Sequence, residues 1–335
     1  MSNGVSERTS AKVLVTGGCG FIGAGMVAAL VKAGHAVTVF DNVWRGSRDN
    51  LSGVAGRVKI READIRDAAA VKAAVAEAEF VVHLAAIQGT GNFYRIPDEV
   101  LDVNVKGVMN VLDACRQARP KRLFFSSSSE VYGIPTVFPT PESAPIIVPD
   151  VLNPRYSYSI SKIVGEAMTV HYAAQAKFDY TIVRYHNVYG PAMGWDHVIP
   201  QFIGRLVRGE EFTVQGDGLQ TRAFCYIDDA VDCSIHALFS PAGANQTFNI
   251  GNPDAECTIN DLVALLGGVS GRRIVPRHLP FPGEGTRRRL PDISRARELL
   301  GFSPQITLKE GLARTYAWYA NAISAGHISV AKESQ

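Results

Sequence analysis

Short continuous apolar runs alternate along this chain with longer stretches of helical repeat. Val13-Leu14-Val15 is followed by Thr16-Gly17-Gly18-Cys19-Gly20-Phe21-Ile22-Gly23, after which Met26, Ala29, Leu30 and Ala33 recur at helical spacing. That pattern predicts a strand, a tight glycine turn and a helix. Residues 36–40 predict a second strand ending on Asp41, and residues 58–60 a short third one. Residues 80–86 are apolar without alternation, as in a strand buried on both faces. Residues 123–125 and 180–184 supply two more strands. Residues 97–118 carry Val100, Val103, Val108, Val111, Leu112 and Cys115 on one face, with Pro97 suited to a first helical turn. A further helix is expected from Arg155 to about Ala176. Strands alternating with helices predict an α/β fold built on a doubly wound parallel sheet.

Beyond residue 185 the alternation becomes irregular. Helices are expected over 197–207, 229–239, 259–266 and 308–323, and a strand over 212–214. The expected organisation is a loose tail at 1–10, a dinucleotide-binding domain at 11–184, and a smaller C-terminal α/β lobe for substrate at 185–326. Segments near 225–250 should return to the first domain, and 327–335 form a second tail. Residues 42–56, 87–96 and 135–154 read as loops, the last a long surface or lid connection.

With 335 residues there is ample core for one large unit or two lobes. Apolar residues at 46 % and charged ones at 20 % describe an ordinary globular chain, and a net charge of +2 gives no reason to expect nucleic acid. Five cysteines lie dispersed, which argues for reduced thiols in a cytoplasmic setting and against a disulfide frame or a metal site. The polar first ten residues do not read as a signal peptide, and no apolar run approaches a membrane span.

The glycine turn gives the first chemistry. Gly17 permits the turn, Gly20 lets backbone approach a pyrophosphate, and Gly23 allows close packing of helix on strand. The pyrophosphate would sit on the helix N-terminus. Asp41, about 20 residues past the glycines, suits the ribose hydroxyls of NAD and repels the extra phosphate of NADP. Asn42 and Arg45 follow closely, and the arginine softens that repulsion. Asp64 ends the third strand, where it fits either a helix cap or the edge of the adenine pocket. His83, inside an apolar run, reads as a core histidine, and Asn104, on an apolar helix face, as a buried hydrogen-bonding residue.

The serine run Ser126 to Ser129 leaves a strand end at the edge where ligands bind, which makes it a candidate for chemistry. Tyr158 and Lys162 lie four residues apart on one helix face, so the lysine cation should favour phenolate and make Tyr158 a usable base. Tyr156 has no such partner, because Ile160 stands four residues on.

Thr16 to Gly23, Asp41-Asn42, Asp64, His83 to Ala86, Asn104 to Gly107, Ser127 to Gly133, Tyr158 to Lys162 and Arg184 to Pro191 occur in order, as do 220–224, 226–229 and 288–293. In these motifs, over residues 12–319, the chain resembles the extended short-chain dehydrogenase/reductase family, in particular its nucleotide-sugar epimerases, dehydratases and decarboxylases. The resemblance implies a Rossmann-type fold and NAD bound by Gly17, Gly20, Phe21, Ile22, Gly23, Asp41, Asn42, Asp64, Ile65, Leu84, Ala85, Ala86, Asn104 and Lys162. It implies Tyr158 as the base at the sugar 4-hydroxyl, Ser128 bonded to the reacting oxygen, and a 4-keto sugar intermediate. The nucleotide-diphosphate sugar would meet Ser128, Ser129, Asn187, Val198, Gln215, Arg222 and Arg289, the arginines pairing with phosphate oxygens. Helices 97–118 and 155–176 resemble the pair that forms a homodimer interface.

The fate of the keto sugar separates the subgroups. Glu130 matches the glutamate of dehydratases and decarboxylases, whereas Ser129 stands where hexose dehydratases carry an aspartate proton donor. Ala192 replaces the arginine, and Ser161 the glycine before the lysine, that are common in decarboxylases. The expected order is a 4-epimerase of a UDP-hexose or UDP-hexuronate first, then UDP-glucuronate decarboxylase or 4,6-dehydratase. A catalytically silent NAD-binding sensor comes last, because Ser128, Tyr158 and Lys162 are all present.

Overall fold

The computed structural model describes residues 10–280 and 286–325; the expected tails at 1–10 and 327–335 lie outside these apart from Ser10. The first half lays down β1 (Lys12–Thr16), α1 (Phe21–Lys32), β2 (Ala36–Asp41), β3 (Val58–Glu62), α2 (Ala68–Val75), β4 (Phe80–His83), α3 (Thr90–Arg95), α4 (Pro97–Ala118) and β5 (Arg122–Ser128). It continues with α5 (Ser157–Ala176), β6 (Asp179–Tyr185) and β7 (Val188–Tyr189). Then come α6 (Val198–Arg208), β8 (Thr213–Gln215), β9 (Thr221–Ala223), β10 (Cys225–Tyr226), α7 (Ile227–Phe239) and β11 (Gln246–Ile250). The remainder is β12 (Glu256–Thr258), α8 (Ile259–Ser270), β13 (Arg277–Leu279), β14 (Arg288–Arg289), α9 (Ser294–Leu300) and α10 (Leu308–Ser324).

Seven strands form one parallel sheet in the order β11-β6-β5-β4-β1-β2-β3. The chain builds outward from β1 in one direction and then reverses, pairing β1 with β4. Such a reversal opens a crevice beyond the carboxyl ends of the two strands. Strand β1 explains why the run is apolar throughout. Val13 and Val15 pack into a core with α1 and α7, while Leu14 faces the opposite core with α2, α4 and α5. Strand β11 reaches the same sheet from late in the chain and pairs with β6.

The smaller lobe has no large sheet of its own. Among the described residues β9 pairs with β12 and β14, β8 with β13, and β7 with β10, against α6, α8 and α10. Thr258 and Asp261 form a reciprocal capping box at the start of α8.

Helix α4 spans the expected residues, with Pro97 in its first turn. Three expectations are corrected. The glycine-bearing loop at 87–96 contains α3. Residues 48–57 of the loop after β2 form 3-10 turns. The cap of α2 is Asp67, whose carboxylate accepts the Ala69 and Ala70 amides at 3.0 Å, so Asp64 is free of that task. Among the described residues no helix is long and apolar enough to cross a membrane.

Candidate active site

The crevice beyond β1 and β4 opens into a cavity of about 370 Å³. Gly17, Gly20, Phe21, Ile22, Gly23, Asp41, Asn42, Ile65, Leu84, Ala85 and Ala86 line it, as do Ser128, Ser129, Glu130, Tyr158, Lys162, Asn187 and Arg289. Residues expected to meet cofactor and residues expected to do chemistry therefore share one space.

The glycine turn is shaped as a dinucleotide cradle requires. Gly17 sits at φ +72, and a Cβ there would lie 2.7 Å from the Ala85 amide nitrogen. A Cβ on Gly23 would collide with the Gly17 carbonyl oxygen, so Gly23 packs on the turn itself and not, as expected, on the strand. Asp41 accepts the Cys19 amide at 2.9 Å and the Val43 amide at 2.8 Å, which fixes its carboxylate at the rim. These residues fit NAD, which when bound supplies the hydride acceptor at C4 and the source of its return.

Asp64 lies outside the cavity lining and accepts Asn42 Nδ2 at 3.2 Å. Arg66 hydrogen bonds pull its carboxyl down to about 2. Asn104 also stays behind the lining. Its amide accepts the Ile87 N–H at 2.7 Å and donates to the Ile87 carbonyl at 3.1 Å and to Ser161 Oγ at 3.0 Å, clamping the loop after β4. His83 is buried against Thr16 Oγ1 at 2.8 Å, and burial lowers it to about 3, so it stays neutral as a core residue.

Helix α5 presents Tyr158 and Lys162 one turn apart beneath Ser128. Lys162 Nζ donates to the Ser126 carbonyl at 2.7 Å and lies 5.6 Å from the centre of the Tyr158 ring. Burial lowers Lys162 to about 8. Tyr158 corrects an expectation. Burial pushes its hydroxyl up and the Glu130 charge adds to this, against a hydrogen bond with Ser128 and the Arg45 charge. In the protein alone the lysine does not make this phenol acidic, because desolvation outweighs it. Phe93 of α3 stacks on the Tyr158 ring, with centroids 5.1 Å apart and planes 12° from parallel, and shields it from water.

Glu130 follows Ser128 in a 3-10 turn and is held by two arginines. Arg155 Nη2 reaches its two carboxylate oxygens at 3.2 and 3.1 Å, and Arg289 Nη1 donates to Oε1 at 2.7 Å. Burial would raise its pKa, but the charges of Arg289 and then Arg155 prevail and hold it down at about 2. Glu130 is therefore a carboxylate throughout the working pH range. Among the described residues the buried Nε of Arg289 has no hydrogen-bond partner.

The remaining candidates are spread more widely. Asn187, in a left-handed conformation at φ 42, donates to the Ala223 carbonyl at 3.4 Å and lines the cavity. Val198 starts α6, Gln215 ends β8, and Arg222 donates to its neighbour's carbonyl at 2.7 Å; none of the three lines the cavity. Burial, and then the Arg289 charge, lowers Arg222 to about 10, which marks a cationic cluster. Sequence reasoning missed Arg155, which holds Glu130 from outside the cavity lining and whose signal was its place one helical turn before Tyr158, and Phe93, which lines the cavity but was hidden in an apparent loop.

Known proteins share this fold over most of the chain. The chain is 34 % identical over 319 residues to a UDP-N-acetyl-alpha-D-glucosaminuronate decarboxylase of Bacillus cytotoxicus, covering 92 % of this chain and 97 % of the relative. It superposes with a TM-score of 0.85, at 33 % identity, on UDP-glucose 4-epimerase from Thermotoga maritima with UDP-glucose, covering 93 % and 99 % of the two chains. The dTDP-glucose 4,6-dehydratase of Streptomyces venezuelae, with NAD and TYD bound, gives a TM-score of 0.86 at 27 % identity, covering 94 % and 98 %. Because the model of the NAD dependent epimerase/dehydratase family also matches residues 13–251, across the glycine cradle, Ser128, Tyr158 and Lys162, the chain belongs to that family of NAD-dependent nucleotide-sugar enzymes.

Proposed function

We propose that the substrate is a UDP-linked hexuronate, oxidised at C4 and then decarboxylated. The observation that carries this reading is the Arg155–Glu130–Arg289 cluster beside Ser128 and Tyr158. Two guanidinium groups share one carboxylate, so the cluster keeps a net positive charge beside the cavity that Glu130 and Arg289 line. The diphosphate of any nucleotide-sugar can use such charge, and a C6 carboxylate adds a further anion to match it.

Oxidation at C4 makes the uronate a β-keto acid. The C5–C6 bond breaks, carbon dioxide leaves, and its electron pair moves through C5 onto the C4 oxygen. Ser128 and Tyr158 donate hydrogen bonds to that oxygen as its charge grows. A solvent proton would then add to C5 and the hydride taken from C4 would return there, so that the net change is loss of carbon dioxide and gain of one proton. Dehydration is disfavoured because Ser129 stands where an acid would have to protonate the leaving C6 oxygen, and an ionised Glu130 can serve only as a base. Decarboxylation thus moves ahead of the 4-epimerase that the sequence pattern ranks first. Epimerisation remains the second reading, favoured by Ala192 in the cavity wall and by needing only Ser128 and Tyr158. Exposed Leu101 and Met109 on α4 also support a homodimer, which light scattering at working concentration would test.

The deciding experiment is mass spectrometry with proton NMR on the protein incubated with UDP-glucuronate, and separately with UDP-, GDP- and dTDP-hexoses. Loss of carbon dioxide from the uronate is the expected result. An unchanged mass with an inverted C4 coupling pattern would replace it with the epimerase, and loss of water with the dehydratase. Tyr158→Phe should keep NAD and lose turnover by roughly 10²–10⁴-fold.

A further inference from the structure

Arg45 lies in the loop after β2, and Asp196 in the loop between β7 and α6. Arg45 Nη2 meets Asp196 Oδ2 at 3.1 Å, and its Nη1 donates to the Gln88 carbonyl after β4 at 2.9 Å. One guanidinium therefore ties three loops together beyond the carboxyl edge of the sheet. Arg45 lines the same cavity as the glycine cradle, Tyr158 and Lys162.

The backbone around the pair is fitted to it. Gly89 adopts φ +113, and a Cβ there would lie 2.8 Å from Asp196 Oδ2; a Cβ on Gly194 would lie 3.0 Å from Arg45 Nη2. A Cβ at Gly89 would press the Asp196 carboxylate aside, and one at Gly194 would need Arg45 to give by a few tenths of an ångström. The pair itself is 24 % and 42 % exposed, and such pairs contribute little to folding stability. Its position over the cleft points to a different task.

We propose that Arg45 and Asp196 are positioning residues, forming a clasp that retains the dinucleotide through the catalytic cycle. Hydride taken from C4 has to return to the same sugar, so a reduced cofactor that escapes strands the keto intermediate. A clasp between the sheet domain and the smaller lobe closes the exit without touching the reacting atoms. The inference rests on the NAD-dependent cycle and holds whether the product is a decarboxylated or an epimerised sugar.

The test reads NADH release without any sugar, so its failure is separate from failure of the decarboxylase reading. The full-length protein is loaded with NADH, chased with excess NAD, and followed by fluorescence. Arg45→Ala and Asp196→Ala should each speed release about fivefold to tenfold, and the double variant no more than about twofold further, because both remove one interaction. Under turnover, both single variants should stall early with free NADH in solution and recover on added NAD. Release at the wild-type rate in both variants overturns the clasp. So does faster release in Arg45→Ala alone, which would make Arg45 a direct cofactor ligand, or effects that multiply in the double variant. Thermal unfolding at the wild-type temperature confirms that each variant is folded.

Discussion

Glu166 on α5 accepts Arg184 Nε at 2.9 Å and Nη2 at 2.6 Å, and Ser127 Oγ donates to it at 2.5 Å; Glu130, after β5, accepts Arg155 at 3.1 Å and Arg289 at 2.7 Å. The first pair is sealed, with side chains 6 % and 9 % exposed, and Arg184 passes the network on to Tyr132 at 2.9 Å and the Glu142 carbonyl at 3.0 Å. In the second, Glu130 and Arg289 of β14 line the cavity, while Arg155, just before α5, stands outside the lining. Pairing with arginine therefore does not tell a structural carboxylate from a functional one. What separates them is access to ligand space and whether the donors are used up. Arg184 spends its Nε, Nη1 and Nη2 on protein partners, whereas among the described residues Arg289 keeps its Nε unpaired.

Breaking the sealed pair should have the largest effect. Glu166→Ala strands a buried guanidinium and should cost about 3–5 kcal/mol in denaturant unfolding, while Arg184→Met with Glu166→Leu should recover most of it. Equal stability of Glu166→Ala and wild type would erase the distinction between the two sites. Glu130→Gln should lower the unfolding midpoint at neutral pH, but by less than Glu166→Ala because the pair is less deeply buried, and should weaken substrate binding in steady-state kinetics.

The pH dependence sharpens the contrast further. Lys162, lowered to about 8, loses its proton as pH rises through that value, so kcat/KM should fall above about pH 8. Glu130 has a folded-state pKa near 2, below its ordinary 4.5. Its contribution to stability is complete above 4.5 and is lost as pH falls toward 2, so Glu130→Gln should flatten acid unfolding across that window. The smallest effect belongs to Arg222, which stands behind the cavity wall: Arg222→Ala should raise KM about two- to fivefold with kcat little changed.

Residues joined by short-range rules were legible in the sequence. The glycine turn, Asp41 past β2, helix α4 and the Tyr158–Lys162 face all follow from spacing and backbone chemistry within a few turns of chain. Helix α3 was not legible, because Gly89, Gly91 and Asn92 carry loop propensities that packing of Phe93 on Tyr158 overrides. The acidity of Tyr158 failed for a related reason. Spacing put a lysine beside it, but only the tertiary structure set how deeply both were buried and sent the lysine amine to Ser126.

By itself the sequence determined the fold class and the NAD cradle and pointed to Ser128, Tyr158 and Lys162 as candidates, since each depends on local periodicity or on a motif a few residues long. Only the tertiary structure decided that Glu130 meets Arg155 and Arg289, and that Arg45 meets Asp196. Glu130 and Arg289 lie 159 residues apart, Arg45 and Asp196 151, and Glu130 and Arg155 25, all beyond a local motif, so their charges are matched only when the chain folds around one cavity. Coulomb attraction and desolvation depend on distance in space and not along the sequence.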